Sequence, residues 1–138
     1  MMRKNELIIW NPDEKIPKKI LLLDSVLWNE GGFKIVFSEE KFNIAFHFED
    51  FVLSFRSTNE QSMLKFRDCY GELKEKNKDF NYSWSLFKVK NSEYLQWFSE
   101  QHYSMYENVD NQVEHYLFVT EDEIIEVLND KPPKIIFK

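Results

Sequence analysis

Three histidines and one cysteine are the side chains of this chain best suited to chemistry. His47 and Glu49 lie two residues apart in an alternating segment, so they share the polar face of a predicted strand. Together they could supply two metal ligands, and His115 could approach from another strand. Zinc sites use three or four protein ligands. A solvated sheet face or a polar pair covered by a helix is the favoured interpretation, and we assign no metal site.

Motifs of common enzyme classes are missing from the sequence. Its three glycines, Gly31, Gly32 and Gly71, cannot form a dinucleotide-binding fingerprint or a phosphate-binding loop. Paired zinc-binding cysteines, His-Glu-x-x-His and Gly-x-Ser-x-Gly are also missing. We expect the single cysteine, Cys69, to be a buried apolar residue. The sequence predicts no cofactor and favours a non-enzymatic role, although a site assembled from distant residues stays open.

The charge of the chain bears on its partners. A formal net charge of -6 disfavours nucleic-acid binding, which depends on basic side chains, and favours basic partners. The C-terminal third has an excess of acidic residues, and nearby aromatic side chains could anchor an interface. Ordinary solubilisation is the alternative explanation of the acidic excess. The candidate partner-binding residues are Glu107, Asp110, Glu114, Glu121, Asp122, Trp97 and Tyr103.

Size and hydropathy predict one domain over residues 1–138. No apolar run approaches the roughly 20 residues of a membrane span, and we identify no secretion signal. A single cysteine suits a reducing compartment. We therefore expect a cytoplasmic protein that does not associate with membranes.

Alternating phenylalanines in residues 33–55, FKIVFSEEKFNIAFHFEDFVLSF, predict three antiparallel strands with one shared buried face. A loop over residues 38–41 would pair Phe37 with Phe42, Ile35 with Ile44 and Phe33 with Phe46. A turn at Glu49 and Asp50 would pair Phe48 with Phe51, Phe46 with Leu53 and Ile44 with Phe55. A one-residue slip would expose these side chains to water.

The remaining pattern predicts an α+β fold, a mainly antiparallel sheet packed with two helices. Strands are expected near 20–28, 33–37, 42–48, 51–56, 82–89, 113–119 and 124–128, with edge strands near 7–10 and 135–137. Helices are expected near 58–76, capped by Ser57, and near 92–102, capped by Asn91 or Ser92. Residues 121–128 could form a helix or the return strand of a hairpin, and we favour the hairpin.

Several segments carry a resemblance: FRSTNE at 55–60, WSLFKV at 84–89, NSEYLQW at 91–97 and HY at 115–116. Together they resemble a group of small Gram-positive bacterial proteins similar in size and acidity to toxin-immunity proteins. That resemblance implies a partner of basic character, such as a toxin, and brings no assigned active site.

Two functions follow as hypotheses. One is an immunity-like interaction protein that covers a basic surface with acidic and aromatic side chains. The other is a small-ligand-binding or enzymatic α+β domain with a pocket between sheet and helices, where Arg56, Glu60 and Trp84 could converge.

Overall fold

The computed structural model describes residues 5–101 and 112–138. Within these residues the chain forms nine β-strands and two α-helices. The strands are β1 Glu6–Ile9, β2 Leu22–Asn29, β3 Gly32–Ser38, β4 Asn43–Phe48, β5 Ser54–Asn59, β6 Leu86–Lys90, β7 Glu114–Val119, β8 Glu123–Asn129 and β9 Lys134–Phe137. The helices are α1 Leu64–Lys76 and α2 Glu93–Gln101, and a 3₁₀ turn covers Glu60–Ser62. No helix in the described ranges is long and apolar enough to cross a membrane.

The strands form two sheets. One has five strands in the order β1-β6-β7-β8-β5, and the other has four in the order β2-β3-β4-β9. Every strand pairing within them is antiparallel. The predicted α+β fold with a mainly antiparallel sheet arrangement is therefore confirmed. The edge positions of β1 and β9 and the β7–β8 hairpin are also as predicted.

The phenylalanine pattern of β3 and β4 selects the buried face correctly. Its large apolar side chains are fully buried: Phe33, Ile35, Phe37, Ile44, Phe46 and Phe48. The predicted register is wrong by two residues, since Phe33 lies opposite Phe48 and Phe37 opposite Ile44. A slip of two residues keeps every side chain on its face, so the hydrophobic pattern cannot distinguish the two registers.

The predicted hairpin between β4 and the next strand is wrong. After Phe48 the chain turns through Asp50, which has a φ of 65°, and leaves the sheet. β5 instead pairs with β8 in the five-stranded sheet, and β9 occupies the place beside β4. Phe51, expected in the core, is 63% exposed, and Val52 is buried in its stead. Phe55 still faces the core, where its ring centroid lies 4.6 Å from that of Phe33.

The two sheets pack face to face through aromatic side chains. Phe46 of β4 lies 5.2 Å from Phe118 of β7, and Phe48 lies 5.4 Å from Tyr116, measured between ring centroids. Trp10 closes one side at 5.0 Å from Tyr116. We call this layer the inter-sheet core, and its contacts join the strands that are most buried in both sheets.

The helices cover the opposite face of the five-stranded sheet. Phe66 and Tyr70 of α1 lie against Phe87 of β6, and Tyr94 of α2 lies over His115 of β7. We call this layer the helix side. Only Cys69 and Leu73 of α1 are buried, whereas α2 buries Tyr94, Phe98 and Ser99, so α1 covers the sheet less completely than α2.

Helix boundaries depart from the prediction at α1. Ser57, expected to cap it, is part of β5, and its hydroxyl donates to Glu123 of the neighbouring strand. β5 continues to Asn59, whose side chain accepts from Gln61 and begins the 3₁₀ turn, so α1 starts at Leu64. Strand pairing with β8 has overridden a local capping signal. At α2, Ser92 acts as the predicted cap by accepting from the Leu95 backbone N–H at 2.9 Å.

Candidate functional site

Three ionisable side chains meet on the helix side of the sheet. Arg56 on β5 lies directly opposite Glu126 on β8, and Glu126 lies opposite Leu117 on the neighbouring β7. Because side chains alternate along a strand, His115, two residues before Leu117, lies on the same face as Glu126. The inward-facing neighbours, Tyr116 among them, pack in the inter-sheet core.

The three groups form a hydrogen-bonded network. Arg56 donates from Nε to Oε1 of Glu126 at 2.8 Å and from Nη2 to Oε2 at 3.1 Å. His115 Nε2 lies 2.7 Å from the same Oε2. Glu126 is 2% exposed and His115 is 1% exposed. A buried carboxylate with three donors is fully satisfied, as a buried charge must be.

The protonation pattern of this network follows from the partners. Burial by itself raises the pKa of the Glu126 carboxyl, but hydrogen bonds from His115 and Arg56 and their charges lower that pKa below its ordinary value. Glu126 is therefore ionised and only accepts. The proton of His115 consequently lies on Nε2. His115 Nδ1 lies 2.6 Å from the Ser92 hydroxyl oxygen, so Ser92 contacts the other ring nitrogen.

A tyrosine packs against the Arg56 guanidinium. Its Cζ lies 4.0 Å from the ring centroid of Tyr94 on α2, a cation–π contact. The Tyr94 hydroxyl lies 2.5 Å from the Ser54 hydroxyl on β5. Burial raises the pKa of Tyr94, so its hydroxyl stays neutral. Arg56 thus has two contacts on this side, the hydrogen bonds to Glu126 and the cation–π contact with Tyr94.

A cavity of about 380 Å³ opens over this network. Its apolar wall comes mainly from side chains of β1, β6, β7 and the start of α1, and its polar lining includes the network itself. The lining residues are Asn5, Leu7, Arg56, Ser62, Met63, Leu64, Lys65, Phe66, Cys69, Val89, Glu93, His115, Leu117 and Glu126. An ion pair between Lys65 on α1 and Glu93 on α2, 3.5 Å apart, joins the two helices beside it. We call this space the helix-side cavity.

Ser92, His115 and Glu126 have the residue types of a nucleophile, base and acid. Such a triad needs its nucleophile on the surface that receives the substrate. Ser92 does not line the helix-side cavity and is 2% exposed. Its oxygen also accepts from the Leu95 N–H as the cap of α2. The arrangement therefore positions His115 and the helix and does not present a reactive hydroxyl.

The residues predicted to form a pocket lie on two cavities. Arg56 lines the helix-side cavity, whereas Glu60 and Trp84 line a second, more open cavity of about 540 Å³. Trp84 is buried there and donates from Nε1 to the Trp10 carbonyl oxygen at 3.0 Å. Glu60 lies 3.5 Å from Arg67. The structure brings Glu60 and Trp84 together and separates them from Arg56.

The predicted partner-binding residues are also dispersed. Trp97 is 52% exposed on α2. Glu114 begins β7, whereas Glu121 and Asp122 lie in the turn after its other end. Glu107, Asp110 and Tyr103 lie outside the described residues. The acidic residues that are described therefore do not form one patch.

His47 and Glu49, considered for metal binding, each have another partner. His47 Nε2 lies 2.7 Å from the Gly31 carbonyl oxygen, and Glu49 forms an ion pair with Lys134 at 2.7 Å. Within residues 5–101 and 112–138, no group of three or more histidine, cysteine or acidic residues could hold a metal ion. Cys69 is buried, with its Sγ 3.3 Å from the Asn5 carbonyl oxygen.

Sequence reasoning missed the role of His115 and Glu126. A signal was present, because each interrupts an apolar strand: His115 stands in EHYLFV and Glu126 in EIIEVLN. Charged residues are rarely buried without a partner. Two such interruptions in successive strands could have indicated a buried polar pair.

Comparison with known proteins adds no assignment to this site: the chain matches no protein-family model, no curated protein and no solved structure.

Proposed function

We propose that the protein is a non-enzymatic binding protein that takes a small ligand in the helix-side cavity. The proposal rests on one observation: the same cavity has an apolar wall and a hydrogen-bonded polar network of Arg56, Glu126 and His115. Small-molecule sites combine these two features, and about 380 Å³ lies at the lower end of their usual volumes.

The energetics of the network support a role beyond stability. Replacing a buried ion pair by apolar residues of similar volume is often neutral or stabilising. Leu117 and Val89 beside the network are buried and apolar, so Glu126 is a charged exception among apolar neighbours. The position of Arg56 and Glu126 at the edge of a cavity, with Arg56 45% exposed, supports recognition of a ligand in addition to any contribution to folding.

The test is saturable binding that depends on the cavity. The wild-type protein is screened by thermal shift against a panel of small acids, amides, alcohols and amines, and protein purified from native cells is examined by native mass spectrometry. Leu64→Trp is the blocking variant, because Leu64 lines the cavity and is 65% exposed, so a larger ring needs no repacking of the core.

Trp28→Ser is the control, because Trp28 is 62% exposed on β2 and does not line the cavity. We expect binding by wild type and Trp28→Ser and weaker binding by Leu64→Trp. Binding that is unchanged in Leu64→Trp would contradict the proposal, as would a panel and a native preparation that both lack any bound small molecule.

A second proposal is an immunity-like interaction protein that binds a basic partner such as a toxin. The net charge of -6 and the exposed Trp97 support it, because exposed tryptophans are common interface anchors. The same charge supports the exclusion of nucleic acid as a partner. A cytoplasmic location belongs to this proposal, and the lone buried Cys69 suits it.

Capture from native cells tests the second proposal. Wild-type protein and Trp97→Ala serve as baits, and bound proteins are identified by mass spectrometry. A basic protein retained by wild type and lost with Trp97→Ala supports the proposal. Recovery of the same proteins with both baits, or of none with either, contradicts it.

A further inference from the structure

We propose that the ligand of the helix-side cavity is a small carboxylic acid with an apolar body, whose carboxylate accepts hydrogen bonds from Arg56. This inference rests on the proposed ligand-binding function and names the class of ligand. The charges, hydrogen bonds and shape of the cavity each bear on it.

Two side chains that line the cavity, Arg56 and Asn5, have N–H groups that donate to no acceptor among the described contacts. Both oxygens of Glu126 already accept from Arg56 or His115. Arg56 uses Nε and Nη2 in those bonds, so the two N–H groups of Nη1 stay available among the described contacts. The Asn5 side chain is similar: its Oδ1 accepts from the Glu93 backbone N–H at 2.8 Å, and its amide N–H groups donate to no acceptor among residues 5–101 and 112–138. These donors of Arg56 and Asn5 favour a ligand that brings acceptors.

Charge around the cavity also favours an anion over a cation. Glu126 is matched by Arg56 and hydrogen-bonded to His115, and Glu93 is matched by Lys65. A ligand amine would have to break one of these pairs to find an acceptor of full charge. A ligand carboxylate needs only the remaining donors of Arg56 and leaves both pairs intact. A charge-assisted bond to a guanidinium is stronger than a neutral one.

The donors are oriented before the ligand arrives. Glu126 fixes one edge of the guanidinium with two bonds, and the guanidinium carbon lies 4.0 Å from the ring centroid of Tyr94. Arg56 also keeps 45% of its side chain exposed, so a ligand can reach its outer edge. Preorganisation lowers the entropic cost of binding.

The apolar wall of the cavity determines the size and polarity of the part of the ligand that is not the carboxylate. Leu7, Val89 and Leu117 are buried side chains that line the cavity, and the Phe66 side chain borders it. A volume of about 380 Å³ suits a short hydrocarbon body. Burial of each CH₂ group stabilises the complex by about 0.8 kcal/mol. The predicted class is therefore a short-chain or compact aromatic acid.

The experiment compares four probes of one chain length: hexanoate, hexanamide, hexan-1-ol and hexylamine, titrated by isothermal calorimetry or ligand-observed NMR. We expect hexanoate to bind most tightly. Arg56→Gln removes the cation and is expected to weaken hexanoate binding about tenfold or more, given the strength of bonds to charged groups. The binding of hexan-1-ol should change little in the same variant.

Arg56→Gln could also weaken the fold, because Glu126 loses a partner, so Arg56→Lys is the second variant. It keeps the charge but cannot form the two-pronged contact, and it is expected to retain part of the hexanoate affinity. Thermal unfolding of both variants confirms that folded protein is titrated.

Tighter binding of hexylamine or hexan-1-ol than of hexanoate would overturn the inference and leave the proposed function standing. Equal hexanoate binding by wild type and both Arg56 variants would also overturn it. Failure of all four probes overturns the carboxylic-acid class, and the broader panel with native mass spectrometry then decides the proposed function separately.

Discussion

The two faces of the five-stranded sheet differ in what they pack against. On one face Tyr116 and Phe118 meet the aromatic side chains of the second sheet, and the inter-sheet core that results is apolar. On the other face His115 and Glu126 lie under two short helices beside a cavity. The same strands β7 and β8 supply both faces.

This difference indicates that the two faces of the same strands have different roles. Sheets pack at about 10 Å with interdigitating side chains, which leaves little room for polar groups. Helices that bury few residues cover a sheet incompletely, as α1 does with Cys69 and Leu73. The inter-sheet core can therefore supply most of the stability, while the helix side can accommodate a polar network and a cavity.

The largest expected effect comes from the inter-sheet core. Phe46 is fully buried and contacts Trp10, Phe37 and Phe118. Phe46→Ala should lower the free energy of unfolding by about 3–5 kcal/mol, because it removes a large apolar side chain and leaves a void. Urea denaturation followed by tryptophan fluorescence measures the loss.

Phe51→Ala is the matched control for that change. Phe51 belongs to the same alternating run but is 63% exposed, so its truncation should change stability by no more than about 0.5 kcal/mol. Equal losses of unfolding free energy from the two variants would contradict this prediction, because they would show that stability is not concentrated between the sheets.

The contrast between Phe46 and Phe51 also shows how far the sequence predicts the fold. Alternation identifies the buried face of β3 and β4, because a strand with one apolar side has only one stable orientation. It does not identify the partner strand, since Phe55 reaches the same core from the opposite sheet. β9, which replaces the expected neighbour of β4, comes from the end of the chain.

The candidate site was less predictable than the fold. Arg56 and Glu126 are 70 residues apart in sequence, and only the pairing of β5 with β8 makes them neighbours. His115 depends on the same sheet order and on the Ser92 cap of α2. No local pattern encodes these contacts. The sequence singled out Arg56 but paired it with Glu60 and Trp84, which the sheet order places on the second cavity.

The second prediction concerns the charge of Glu126. Glu126→Gln keeps the shape but weakens the bonds from Arg56 and His115, so we expect a loss of about 1–2 kcal/mol at pH 7. The pKa of Glu126 is lowered in the folded protein. Its ionised form therefore stabilises the fold above the carboxyl's unfolded pKa of about 4.3, and this contribution is lost as pH falls through the folded pKa.

The difference in unfolding free energy between wild type and Glu126→Gln should consequently be larger at pH 7 than at pH 3. Chemical denaturation at both values measures it. Glu121→Gln is the control, because Glu121 lies exposed in the β7–β8 turn and should show almost no difference at either pH. A Glu126→Gln difference that is unchanged by acid would indicate that the carboxylate charge does not stabilise the helix side.

The third prediction concerns the cap that joins α2 to the network. Ser92→Ala removes the acceptor of the Leu95 N–H and the partner of His115 Nδ1. We expect a loss of about 1 kcal/mol, the usual effect of removing a serine cap. Thermal or urea unfolding measures it.

Ser99→Ala on the same helix provides the comparison. Ser99 is 1% exposed, and its hydroxyl has no hydrogen-bond partner among the described residues. Its replacement should be neutral or slightly stabilising, since an unpaired buried hydroxyl is costly. Similar losses from both serine variants would mean that packing, and not the network, positions α2.

The smallest expected effect is at the ion pair between the helices. Lys65 and Glu93 lie 3.5 Å apart with side chains 76% and 41% exposed. Lys65→Ala should therefore change the free energy of unfolding by less than about 0.5 kcal/mol, because exposed ion pairs are weak.

Hydrogen exchange of the α1 and α2 amides is the sharper measurement. If the helix side is a loose cover, those amides should exchange faster than the amides of β7 and β8 in wild type, and Lys65→Ala should leave the strand amides unchanged. A loss above about 1 kcal/mol, or a slowing of helix exchange to the rate of the strands, would mean that the helices are bound to the sheet as firmly as the second sheet is.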